Sequence, residues 1–190
     1  SIDGQDFLYI LHMTLLNILH FPDNKLRQKG KNISTFDTKL GNIASNMLET
    51  MYESKGIGLA AVQVNIPIRL IVIDISESQD NPIYLVNPKI TEKRDKIVFE
   101  EGCLSVPGFY EKVERHNSID FTYQDLGGVT QTDSAEGLLA VCIQHEIDHL
   151  DGKLFVDYIS DLKRDRIAKK IKKAELNDSL PVRKNVPYNI

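Results

Sequence analysis

The strongest chemical signal in the chain is His145-Glu146-Ile147-Asp148-His149. On a helix, two histidines four positions apart share one face and can hold a single metal ion from consecutive turns, while Glu146 sits beside them, placed to exchange a proton with a water there. The alternative is a pair of core histidines satisfied by backbone carbonyls, which is a costly use of two histidines and a glutamate on an apolar helix. A site needs a third protein ligand, and the chain has two cysteines, Cys103 and Cys142. Cys142 lies on the same helix face, but about 4.5 Å further toward the N-terminus, with its Cα–Cβ bond tilted away from a ligand bond of about 2.3 Å. A small core hydrophobe is its favoured role. Cys103 lies in Glu100-Glu101-Gly102-Cys103-Leu104-Ser105-Val106-Pro107-Gly108, where Gly102 frees the backbone and Pro107-Gly108 turns it, so an irregular segment can present the thiol. An inert buried cysteine remains the alternative there. One thiolate with two imidazoles suits zinc or ferrous iron.

The elements that must position these groups are legible in outline. Phe21-Pro22-Asp23-Asn24 is turn chemistry, and Phe36-Asp37-Thr38 offers caps to a helix over about 38–53 whose apolar stripe is Leu40, Ile43, Ala44, Met47, Leu48 and Met51. Short strands are expected over 70–75, 83–90, 97–101, 113–115, 119–123 and 129–132, with Gly127-Gly128 joining the last two as a hairpin. Ser134 is expected to cap a buried central helix over about 135–150 that ends at Asp151-Gly152, and a basic helix runs from Asp161 to about Lys173. Strands that follow one another without intervening helices predict an α+β fold, mostly antiparallel strands around the central metal-binding helix, flanked by an N-terminal and a C-terminal helix.

The chain has 190 residues, 42% hydrophobic and 26% charged, which suits one domain with a sizeable core and excludes a disordered chain. Its net charge of −4 supplies no global field for nucleic acid or an anionic membrane. Two cysteines are too few for a disulfide scaffold and suit a reducing compartment. Phe7 to Leu19 is too short to span a membrane and lacks a basic leader start. Residues 1–12 read as an appended stretch or the stub of a processed leader, the latter implying an organelle rather than a bacterial cytosol. The remaining expected units are a single domain over 13–175 and a tail over 176–190.

Gly56-Ile57-Gly58-Leu59-Ala60-Ala61-Val62-Gln63, Glu101-Gly102-Cys103-Leu104-Ser105 and Gln144-His145-Glu146-Ile147-Asp148-His149 together resemble the three signature motifs of the peptide deformylases, in order and at the family's spacing. The resemblance runs from about Met13 to the last helix. It departs at Phe109-Tyr110, a segment variable in the family, and before Met13. It implies hydrolytic removal of the formyl group from N-formylmethionyl nascent peptides, using one divalent metal held by Cys103, His145 and His149. Ferrous iron is the metal it favours, with zinc, nickel or cobalt able to occupy the site. It implies Glu146 as general base and then acid, Gln63 and the Leu104 backbone N–H as oxyanion donors, and Gly58 as part of an extended peptide-binding segment. A methionine pocket is then expected from Ile57, Phe99, Leu138, Val141 and Cys142.

Two rival readings are a zinc endopeptidase and a non-catalytic metal-containing domain that docks on the ribosome. The first lacks a third histidine at metzincin spacing, and the second lacks a fourth credible ligand. The last helix carries Lys163, Arg164, Arg166, Lys169, Lys170, Lys172 and Lys173. A solvated charged helix explains such a run, and the resemblance adds docking on ribosomal RNA by a cytoplasmic, bacterial-type monomer.

Overall fold

Asp37 begins the first helix by accepting the Leu40 N–H at 3.0 Å, and α1 then runs Thr38–Glu53 with Leu40, Ala44, Met47 and Met51 buried, the stripe expected from the sequence. The computed structural model describes residues 14–181; the expectations for residues 1–12 and for the tail beyond 181 fall outside the described residues. After α1 come β1 (Gly58–Ala60), β2 (Leu70–Ile73), β3 (Ile83–Glu101), β4 (Glu111–Gln124) and β5 (Thr130–Glu136), then α2 (Gly137–Leu150) and α3 (Asp161–Leu176). The five strands form one antiparallel sheet in sequence order, with β1 at its edge. The fold is therefore α+β, with strands wrapped on a central helix.

Strand periodicity explains why α2 can be so apolar. In β2 all four residues are buried, Leu70 and Val72 against α1 and Ile71 and Ile73 in the cluster that holds Val141, Cys142 and Ile143 of α2. The short strands β1 and β2 are thus filled in between two helices. A third cluster joins α3, through Ile167 and Ile171, to Cys103, Val106, Val113 and Phe155. α1 and α2 thus bury alternate residues of 59–62 from two sides, while α3 backs the cysteine segment.

Several boundaries differ from expectation. The two strands expected over 83–90 and 97–101 are one, because the polar stretch between them keeps pairing with β4 through shifts at Val86/Lys89 and Ile90/Glu92. The strands expected over 113–115 and 119–123 are likewise one. Ser134 caps nothing; it lies in β5 and donates its hydroxyl to Asp120 at 2.7 Å. The central helix instead starts at Gly137, whose φ of +60° turns the chain out of the sheet. β2 stops at Ile73, where Asp74 takes up the Ser76 N–H and hydroxyl. The hairpin at Gly127-Gly128 forms, with Asp125 accepting N–H bonds from Gly127 and Val129. Among the described residues no helix is long and apolar enough to cross a membrane.

Replacing Asp37 by Ala should cost about 0.5–2 kcal/mol of stability by removing the cap of α1. A lower midpoint in chemical unfolding, with an unchanged slope, is the expected result.

Candidate metal centre and active site

α2 presents His145 and His149 inward, both about 1% exposed, and the loop after β3 brings Cys103 to meet them. The His145 and His149 Nε2 atoms are 3.1 Å apart, and Cys103 Sγ is 3.3 Å from His149 Nε2. One donor atom from each of the three lies within 4.8 Å of the others. Burial pushes the His149 imidazole well below its ordinary pKa, with His145 adding to the effect, so its ring stays neutral. Its Nδ1 is buried without a hydrogen-bond partner among the described residues. Three electron-pair donors converging away from water, one of them a soft sulfur, fit a thiophilic divalent cation and are hard to account for otherwise.

His145 is aimed by its neighbours. Its Nδ1 lies 2.8 Å from the Glu101 carboxylate, which Arg115 grips through Nε at 2.5 Å and through its far nitrogen at 2.9 Å. Burial alone would raise the Glu101 pKa, but the bonds from Arg115 and His145 hold it at about 2. The ionised carboxylate accepts the Nδ1 proton, which leaves Nε2 as an electron-pair donor toward the centre. Arg115 also reaches Asp148 at 2.6 Å, and Asp148 accepts the Tyr158 hydroxyl at 2.8 Å. Nothing in the residue pattern alone marks Glu101, Arg115, Asp148 or Tyr158 for a role at the site, with one exception. Strand alternation puts Arg115 on the same inward face as buried Val113, an arrangement a charged residue adopts only with a partner. Gln144 of the third motif has a scaffold role, exchanging hydrogen bonds with the His116 backbone at 3.0 and 2.8 Å and so tying α2 to β4.

Gln63, 1% exposed, has its amide orientation fixed. Its Oε1 accepts the Ala60 N–H at 2.8 Å, so Nε2 faces the cysteine loop, 3.1 Å from Ser105 Oγ and 3.6 Å from Cys103 Sγ. Among the described residues the Leu104 N–H makes no hydrogen bond. Gly58 packs on α2 so closely that a Cβ would lie 2.5 Å from Glu146 Oε1 and 2.8 Å from Cys142 Sγ. Cys142 therefore sits between Gly58 and the helix, outside the donor group. Burial pushes its thiol well up and the nearby Glu146 pushes it further, so it stays protonated. Val141 and Cys142 are fully buried, and Ile57 and Phe99 pack against their cluster. Leu138, half-buried in the first turn of α2, is not among the residues of that cluster. A separate cavity of about 240 Å³ opens beside Cys103 and Leu104, lined also by Val106, Phe109, Tyr110 and Pro181.

Three protein donors leave a coordination position for a reacting molecule, which is how catalytic rather than structural metals are held. With a buried glutamate alongside, the class is a metal-dependent hydrolase. The family model for polypeptide deformylase matches residues 15–165, and the chain belongs to that family. The peptide deformylase of Nitrosococcus oceani is 52% identical over 163 residues, covering 86% of this chain and 98% of that one. That of Pseudomonas aeruginosa is 52% identical over 164 residues, covering 85% and 96%. A solved peptide deformylase from Legionella pneumophila superposes with a TM-score of 0.83 at 43% identity, covering 88% of this chain and all of that one. One from Ehrlichia chaffeensis, solved in complex with actinonin, gives 0.82 at 38% identity, covering 86% and 99%.

Cys103→Ala, His145→Ala and His149→Ala should each abolish stoichiometric metal binding, while Cys142→Ala retains it. Elemental analysis of the purified variants checks this, and metal lost only from Cys142→Ala would overturn the ligand set.

Proposed function

We propose that this chain removes the formyl group from N-formylmethionyl peptides as new chains emerge, releasing formate and a free amino terminus. The observation that carries the reading is the convergence of Cys103, His145 and His149 donor atoms within 4.8 Å, on a helix that also buries Glu146, in a chain of the deformylase family. A divalent metal held by those three residues would supply Lewis acidity toward the formyl oxygen and toward water. Ferrous iron is the proposed native ion on the strength of the family resemblance; the donor set itself, one thiolate with two imidazoles, suits zinc or ferrous iron alike, and nickel or cobalt could occupy it.

The protein groups then divide the work. Glu146 takes a proton from the attacking water as the new C–O bond forms at the formyl carbon. The charge that develops on the formyl oxygen meets the Gln63 amide and the Leu104 N–H, donors already oriented before substrate arrives. The C–N bond breaks and Glu146 returns the proton to the leaving amine. Because β1 is the edge of the sheet, the backbone around Gly58 can pair with the substrate as an added strand. The methionine side chain would enter between Ile57 and Phe99 toward Val141 and Cys142, with Leu138 at the entrance. A purely structural metal is the weaker reading because three donors leave the shell open beside Glu146, and internal peptide cleavage is weaker because the chain belongs to the deformylase family and has no third histidine at metzincin spacing.

The surroundings of this activity are part of the proposal: one catalytic domain over 13–175, acting as a cytoplasmic monomer. α3 turns Ile167 and Ile171 inward and leaves Arg166, Lys169, Lys172 and Lys173 exposed, which supports docking of that face on ribosomal RNA.

Formate release from formyl-Met-Ala-Ser, abolished by a chelator and restored by ferrous iron, tests the reading directly. Cleavage of internal peptide bonds instead would overturn it. Glu146→Gln should keep its metal and lose about 10²–10⁴-fold in kcat, as expected for removing a general acid–base.

A further inference from the structure

The cavity beside Cys103 and Leu104 has one wall that comes from outside the family match, which ends at residue 165. α3 closes with a Schellman turn: Ser179 N–H bonds Ala174 O at 2.8 Å and Asp178 N–H bonds Glu175 O at 3.1 Å, with Asp178 at a φ of +49°. The Ser179 hydroxyl also reaches Ala174 O, at 3.3 Å. This turn reverses the chain and sends Leu180 and Pro181 back over the cysteine loop. Leu180 packs in the cluster that contains Cys103 and Phe109. Pro181 lies against Gly108, where a Cβ would be 2.6 Å from the proline ring. Gly108 holds a φ of +82°, so a glycine suits both the turn and the contact.

The cavity also lies on the path a substrate would take. Glu146 Oε1 lies against Gly58 in β1, and the cavity is bounded by Cys103 and Leu104 of the cysteine loop and by Ser54 and Lys55 in the turn that leads from α1 to β1. Lys55 has a φ of +57°, so the strand edge ends at Gly58 and the cavity lies just beyond it. A peptide laid along β1 with its formyl group at the centre leaves that edge toward the cavity, its third residue two steps of about 3.3 Å beyond its first. Residues 1 and 3 of a strand also face the same side.

We infer that the segment Leu180–Pro181, folded back by the Schellman turn, is a specificity wall that encloses the side chain of the substrate's third residue against Leu104, Val106, Phe109 and Tyr110. This inference rests on the deformylation reading. Leu104, Val106, Phe109, Tyr110 and Pro181 give the cavity an apolar wall opposite a polar rim of Glu53, Ser54 and Lys55, so the parent protein should favour formyl-Met-Ala-Leu over formyl-Met-Ala-Ser by at least about fivefold in kcat/KM, less than the full burial of a leucine would give.

The test compares that ratio in the parent, in a chain ending at Ser179, and in Pro181→Gly, with metal content and thermal unfolding measured in each. The expected result is a ratio that falls to within about twofold of unity on truncation, and part of the way in Pro181→Gly, with metal content unchanged. Pro181→Gly carries the test if the shortened chain fails to fold. A ratio that stays at the parent value in a folded, metal-loaded variant would overturn the wall while leaving deformylation intact. Absence of formate release from both peptides in the parent would overturn the deformylation reading, and this inference with it.

Discussion

The structure depends on one buried ion pair. Glu101 is wholly inaccessible and Arg115 is 5% exposed, and each would be prohibitively costly to bury without the other. Together they fix the end of β3 to β4, and the second oxygen of Glu101 fixes the ring of His145. The pairing therefore does two things at once: it closes the sheet next to the cysteine loop, and it sets which nitrogen of His145 faces the other two donors. Because Glu101 titrates near 2 instead of its ordinary 4.5, its stabilising contribution is fully present above about pH 4.5 and is lost as the pH falls toward 2.

The other groups proposed to act in catalysis are held by similarly local constraints. Gln63 is oriented by the backbone N–H of Ala60 at the end of β1, and β1 approaches α2 closely only because Gly58 has no side chain. These are backbone-level constraints on a short, irregular part of the chain. They place an amide, a carboxylate and an edge strand around one point without requiring a long loop to close over it.

The parts of this arrangement visible in the sequence were those with a period or a fixed spacing. The α1 stripe and the apolar run of α2 announced their helices, and the histidine spacing announced a shared face. Glu101 and Arg115 were not legible as a pair, because they lie on different strands and meet only through the β3–β4 register. β1 was hidden for a different reason: with three residues it has no periodicity to read, and it exists because β2 supplies its ladder partners. The polar middle of β3 looks like a break in the sequence because both its faces are solvated, although its hydrogen-bonding ladder with β4 continues. Ser134 illustrates how a good capping residue is overridden when a neighbouring strand offers it a partner first.

The central claim is that Glu101 acts through His145 to make this a metal-binding centre. Its most direct measurement is the dissociation constant for zinc, determined by competition with a chromophoric chelator, in the parent and in Glu101→Gln. The amide keeps the shape but offers one weaker acceptor, so zinc should bind about 10–100-fold more weakly, as for other supporting partners of histidine ligands. A folded Glu101→Gln variant that binds zinc within twofold of the parent would contradict the account.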